Sequence, residues 1–238
     1  TTVGSGHTLS NNCQTGIIFA DVAGITGSSV QLQSTHVGGM IQGRAEDGTL
    51  IISSAVGTTY GSQVFGHAIS GGTIRVLTAD GGFARGKATG TSSLIRVQAA
   101  GGFASGYALA AGTVDVSGLG AHALGSAQGT SAIVTASSQG ALAFGYANAS
   151  SANITASGTG SLAGGYALNT GGSILGSGDG SFARGYHNGT STLRATVEGA
   201  FASGYVSTGS ASLTASGQGA HAMGYCVSAS AQLTASGQ

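Results

Sequence analysis

The side chains able to do chemistry are few and dispersed. The histidines are His7, His36, His67, His122, His187 and His221, and the acids are Asp21, Glu46, Asp47, Asp80, Asp115, Asp179 and Glu198. A metal site needs several ligands converging on one point, and no cluster of these types is readable. Glycoside hydrolysis needs two carboxylates a set distance apart. The one adjacent pair, Glu46-Asp47, runs into Gly48 and reads as a solvated turn. No aspartate recurs in the Gly-Gly-x-Gly-x-Asp pattern of a calcium-binding roll. Serine and threonine are abundant, but no nucleophile is spaced with a base. The Gly101-Gly102-Phe-Ala-Ser-Gly stretch has no helix after it, so it does not read as a phosphate cradle. The residues therefore predict a protein that is not an enzyme and uses no cofactor.

What does recur is architectural. A degenerate unit starts at Gly16, with Asp21-Val-Ala standing where later copies have Gly-Tyr-Ala. Further units start at Gly38, Gly61, Gly81, Gly101, Gly120, Gly140, Gly160, Gly180, Gly199 and Gly219. The steps are 23, 20, 20, 19, 20, 20, 20, 19 and 20 residues. A fixed period of this length marks one supersecondary unit stacked on itself. Residues 1–15 read as an N-terminal extension or partial coil, and 16–238 as one continuous array. The chain opens on Thr1 and its last unit ends at a repeat boundary, which suggests a processed protein or part of a longer one.

Each unit holds two short alternating segments. The first is typified by Phe182-Ala-Arg-Gly-Tyr, the second by Leu213-Thr-Ala-Ser-Gly. Period-two alternation predicts strands, and the intervening Gly, Ser, Asn and Thr predict turns. The fold expected is all-β, a parallel β-solenoid or β-roll of about eleven coils with two short strands per coil.

Alternation divides the first strand between two faces. One carries small residues such as Ala143 and Gly145. The other carries a candidate assembly ladder of Phe83, Phe103, Tyr107, Tyr146, Tyr166, Phe182, Tyr186, Phe201, Tyr205 and Tyr225. Between the Phe and Tyr levels lies a variable position that holds Arg85, Phe144, Gly164, Arg184 and Met223 in different units. A freely varying, sometimes charged position favours small residues inside and the ladder outside. The interior would then be thin, filled by Ala, Gly and the column Val134, Ile154, Ile174, Leu193, Leu213 and Leu233. The alternative puts the aromatics in the core and a flat Ala/Gly face outside. His122 and His221 fall in the Phe/Leu column and read as rings replacing rings. Three copies of His122 could meet only around a trimer axis.

Gly accounts for 46 of 238 residues, without a collagen-like period, and Pro and Trp are absent. Charged residues make up 6%, seven basic against seven acidic. That gives no electrostatic case for binding nucleic acid or an anionic membrane, and little protection against self-association. No apolar run approaches the roughly 20 residues of a membrane span. Cys13 and Cys226 lie near opposite ends of the array, about 50 Å apart at about 4.8 Å per coil. Within one chain they cannot bridge. They read either as small buried residues or as a candidate interchain disulfide. Thr135, Thr155, Thr214 and Thr234 recur as a row that suits ice-like water, but Leu175 and Arg194 interrupt it. Asn148, Asn153 and Asn188 open glycosylation sequons.

The Ala-x-Gly units resemble the head repeats of trimeric autotransporter adhesins, the YadA-like β-roll, and related repeats in phage tail fibres. The resemblance covers roughly residues 16–238. It implies a homotrimeric β-roll, exported to a cell surface or virion and used for attachment to a host surface or glycan, with no catalytic residues to transfer. The expected function is thus a non-enzymatic extracellular fibre or adhesin-type protein whose main partner is itself. The alternative is a subunit polymerising head to tail through residues 1–15 and open solenoid ends. A solenoid binding ice or polysaccharide is a further reading.

Overall fold

The computed structural model describes the backbone of residues 8–11, 15–18, 29–32, 37–41, 43–44, 49–53, 63–68, 72–77, 80–207 and 209–237. Its strands form two parallel sheets of 12 and 11 members, and successive strands alternate between them. Each strand pairs with its equivalent one coil on. This is the expected all-β parallel β-solenoid with two strands per coil. Thr8–Asn11 pairs with Ser29–Leu32, and Thr15–Ile18 with Val37–Ile41, so strands stand at both levels before Gly38. Eight consecutive coils, beginning at Gly81, hold most of the side chains described. Among the described residues no helix is long and apolar enough to cross a membrane.

A coil consists of one long strand, such as Leu142–Asn148, and one short strand, such as Asn153–Ala156. The long strand sends Ala143 and Ala147 inward and Leu142, Phe144 and Tyr146 outward. The short strand sends Ile154 and Ala156 inward and Asn153 and Thr155 outward. The core is one aliphatic row facing two rows of alanine. Val134, Ile154, Ile174, Leu193 and Leu213 are 0% exposed, as are Ala104, Ala143, Ala163 and Ala202. Leu233, in the last coil, is half-buried against that cluster. Small residues inside and aromatics outside is therefore the arrangement adopted.

The two glycines that define the sequence repeat have different jobs. The first, such as Gly160, adopts φ +62° at the corner, a left-handed turn that other residues enter at a cost. Its column is knitted by N–H donation to the previous coil, as from Gly180 to the Thr159 carbonyl at 2.8 Å. The second, such as Gly145, sits mid-strand at φ +131°, where a Cβ would collide with the Gly165 carbonyl oxygen. In other coils the same site abuts the tip of the aliphatic row, as Gly204 does against Leu213. This glycine column forms a thin wall between the core and the outer face.

The units starting at Gly101 and Gly180 are one residue shorter than their neighbours. The loss falls in the turn between strands, Leu109 to Thr113 and Asn188 to Thr192, against Asn148 to Asn153 elsewhere. The strand registers on either side are unaffected.

Candidate assembly face

The outer side of the long-strand sheet carries every member of the expected aromatic ladder. Strand pairing holds equivalent residues level, so rings on successive coils meet at about the spacing of the strands. Phe83 and Phe103 stack with centroids 4.8 Å apart and planes 7° apart, and Phe182 and Phe201 stack at 4.8 Å and 5°. Tyr186 and Tyr205 stack at 4.9 Å and 6°, and Tyr205 and Tyr225 at 4.6 Å and 13°. Of the histidines in the Phe column, His221 continues a stack, 5.4 Å and 18° from Phe201, while His122 is tilted 34° against Phe103 at 5.9 Å. Both are exposed and serve as rungs.

The ladder has gaps. Ser126 separates Tyr107 from Tyr146, and Leu142 and Leu162 interrupt the Phe column. Lys87 reaches over the Tyr107 ring at 5.5 Å, a cation–π contact. Around Tyr166 the stacking opens: Tyr146 meets it edge-on at 6.1 Å and 61°, and Tyr186 at 6.2 Å and 29°. Here a groove of about 580 Å³ runs along the solenoid. Gly125, Gly145, Gly165 and Gly185 form its floor; Phe144, Arg184 and the three tyrosines form its sides. The Phe144 ring covers Gly164, where a Cβ would overlap it.

Arg85 and Arg184 in the variable column are exposed on this face, as Met223 is at 63%. Among the described residues, Tyr166 at 54% and Tyr225 at 70% are the exposed tyrosines. Within each stack a ring's faces are largely taken by its neighbours, so edges and hydroxyls point outward. Such a surface is suited to packing against another flat surface.

The remaining chemical groups are committed to structure. Arg96 and Asp115, on adjacent short strands, form a two-point ion pair at 2.7 and 3.0 Å. The sequence shows them only as scattered charges; their equivalence in register was the missed signal. The carboxylate's hydrogen bonds hold the Arg96 guanidinium above its ordinary pKa. His187 is fully buried in a column otherwise held by small residues such as Ala147 and Ala167. Its Nε2 faces the Ser191 carbonyl, and its Nδ1 has no partner. Burial pushes its pKa below the usual imidazole value. Cys226 is a buried free thiol, 2% exposed, 3.4 Å from the Ser212 carbonyl; Cys13 lies outside the described residues. The Thr135, Thr155, Leu175, Arg194, Thr214 column runs along the outside of the short-strand sheet. Among the described residues, no three His, Cys, Asp or Glu side chains gather in one place.

Set against known proteins, no family model, no curated protein and no solved structure matches this chain. The architecture itself is shown: a parallel β-solenoid of stacked two-strand coils.

Proposed function

We propose that this chain is a non-enzymatic structural element of an extracellular fibre or adhesin-type appendage. It is a rigid β-solenoid that self-associates, as a homotrimer, through its Phe/Tyr face. One observation carries the reading: the rings stand in outward rows along the long-strand sheet, stacked in runs such as Phe83 on Phe103 and Tyr186 on Tyr205 on Tyr225. Outward rows of aromatic rings on a flat sheet are the kind of apolar surface that marks an interaction site. Identical chains around an axis parallel to the solenoid would cover it at every coil. The same logic relates the chain to the head repeats of trimeric autotransporter adhesins and to phage tail-fibre rolls. A sugar-binding platform is less well supported, because sugars stack on free ring faces and these faces are mostly paired with one another. Ice binding has against it the Leu175 and Arg194 breaks in the threonine column.

Sedimentation of the purified chain tests the proposal. A discrete trimer is expected, converted toward monomer by Tyr166→Ser with Tyr186→Ser while the β-type circular dichroism is retained. A monodisperse wild-type monomer would refute it.

A further inference from the structure

The face that carries the ladder also carries cations, and the corner of the coil carries acids. The corner column is the residue before each unit's first glycine, fixed by the N–H of the next coil's glycine: Gly101 to the Asp80 carbonyl, Gly199 to Asp179, Gly219 to Glu198. The face column is the variable position between the Phe and Tyr levels. Across the eight coils from Gly81, arginine occupies the face column twice, at Arg85 and Arg184. In both coils the corner residue is aspartate, Asp80 and Asp179. The coil with leucine at the corner, Leu119, has leucine on the face, Leu124. In the other five coils the two positions differ, as with Glu198 and Ser203 or Gln218 and Met223, so the opposite-charge match is confined to the two coils that carry arginine.

This match does nothing within one chain. Asp179 and Arg184 lie on either side of the left-handed corner at Gly180, and no ion pair joins them. Asp179 accepts the Thr159 N–H at 2.8 Å. Neither Arg85 nor Arg184 has an acidic partner among the described residues. Both aspartates and both arginines are exposed. A rotation axis parallel to the solenoid keeps each coil of one copy level with the same coil of the next. An antiparallel pair can match at most one coil in this way, whereas the parallel arrangement lets corner and face residues of the same coil meet in both arginine-bearing coils at once.

We infer that neighbouring copies pack parallel and in register, the corner of one against the ladder face of the next. Asp179 then pairs with Arg184 across the interface, and Asp80 with Arg85. This rests on the self-association proposed above and adds its orientation and register. With so few charges, two ion pairs fix the alignment that a flat aromatic face would leave free to slide.

Charge reversal in the full chain tests it. Arg184→Asp and Asp179→Arg should each weaken association at least about 10-fold in sedimentation, because like charges then face each other. The double variant should regain wild-type assembly. Arg194→Asp, an exposed change on the opposite sheet, should leave it unchanged. As a second measurement, the Asp179→Cys/Arg184→Cys chain should form interchain disulfides on mild oxidation, and Asp80→Cys/Arg184→Cys should not. An oligomer indifferent to both reversals, or crosslinked only by the second pair, overturns the register while leaving self-association standing. A monomeric wild-type chain overturns both.

Discussion

The imidazole of His187 lies directly over Gly172 of the preceding coil, where a Cβ would overlap the ring. In other rungs of these two columns alanine stands at both positions, as at Ala132 with Ala147 and Ala152 with Ala167. Bulk has been moved from one rung to the next at nearly constant volume. Gly172→Ala should therefore lower stability by about 1–3 kcal/mol through overpacking. His187→Ala should also destabilise, by leaving a void. The two together should come within about 1.5 kcal/mol of wild type. Denaturant titrations of the four chains measure this coupling, and additive losses would contradict it.

The same buried ring makes stability depend on pH. Its folded-state pKa lies below 6.5, because burial disfavours the charged form. The unfolded chain therefore binds a proton at His187 more readily than the folded one. The stability contributed by the neutral ring is complete above about pH 6.5 and is lost as pH falls from there toward the lower folded value. Thermal melts at pH 7.5 and 5.5 should show a larger drop for wild type than for His187→Ala/Gly172→Ala. Equal drops would mean that the ring titrates freely.

The two glycine columns should respond differently to alanine. Gly160 has φ +62° and open space where its Cβ would go, so Gly160→Ala should cost only the backbone strain, about 1–2 kcal/mol. Gly145 combines φ +131° with a carbonyl oxygen in the way, so Gly145→Ala should cost about 3 kcal/mol or more. Comparable midpoints for the two variants would refute the distinction.

Arg96 and Asp115 should be more costly to separate than to remove. Arg96→Ala leaves a carboxylate that is 7% exposed without its partner, at about 2–3 kcal/mol. Arg96→Thr with Asp115→Thr converts the site to the threonine found at Thr135 and Thr155 on the same column, and should be close to neutral. Chemical denaturation of both variants decides it.

The fold was legible because a strand has only two faces. Once Ala143 and Phe144 alternate, they must lie on opposite sides, and the arginines at 85 and 184 mark which side is wet. Two features needed coordinates. His187 looks like a surface residue until register sets it beside Ala167 and Val206. Gly145 reads as merely small, whereas its backbone angle and the neighbouring carbonyl demand that it have no side chain. The charge pairing proposed between corner and face was hidden for another reason: it would join positions on neighbouring chains, which one sequence does not set side by side.

The corner hydrogen bond from each coil's first glycine to the coil before has a consequence for how such a molecule can change. Every coil presents to the next the docking edge it received. A duplicated unit therefore inserts without disturbing its neighbours and lengthens the rod by about 4.8 Å. A single residue added within a strand would turn inward residues outward, whereas the one-residue losses after Leu109 and Asn188 fall in turns and leave the strand registers intact. Length here is counted rather than measured: the gene sets reach by the number of copies it keeps, as a ladder's height is set by its rungs.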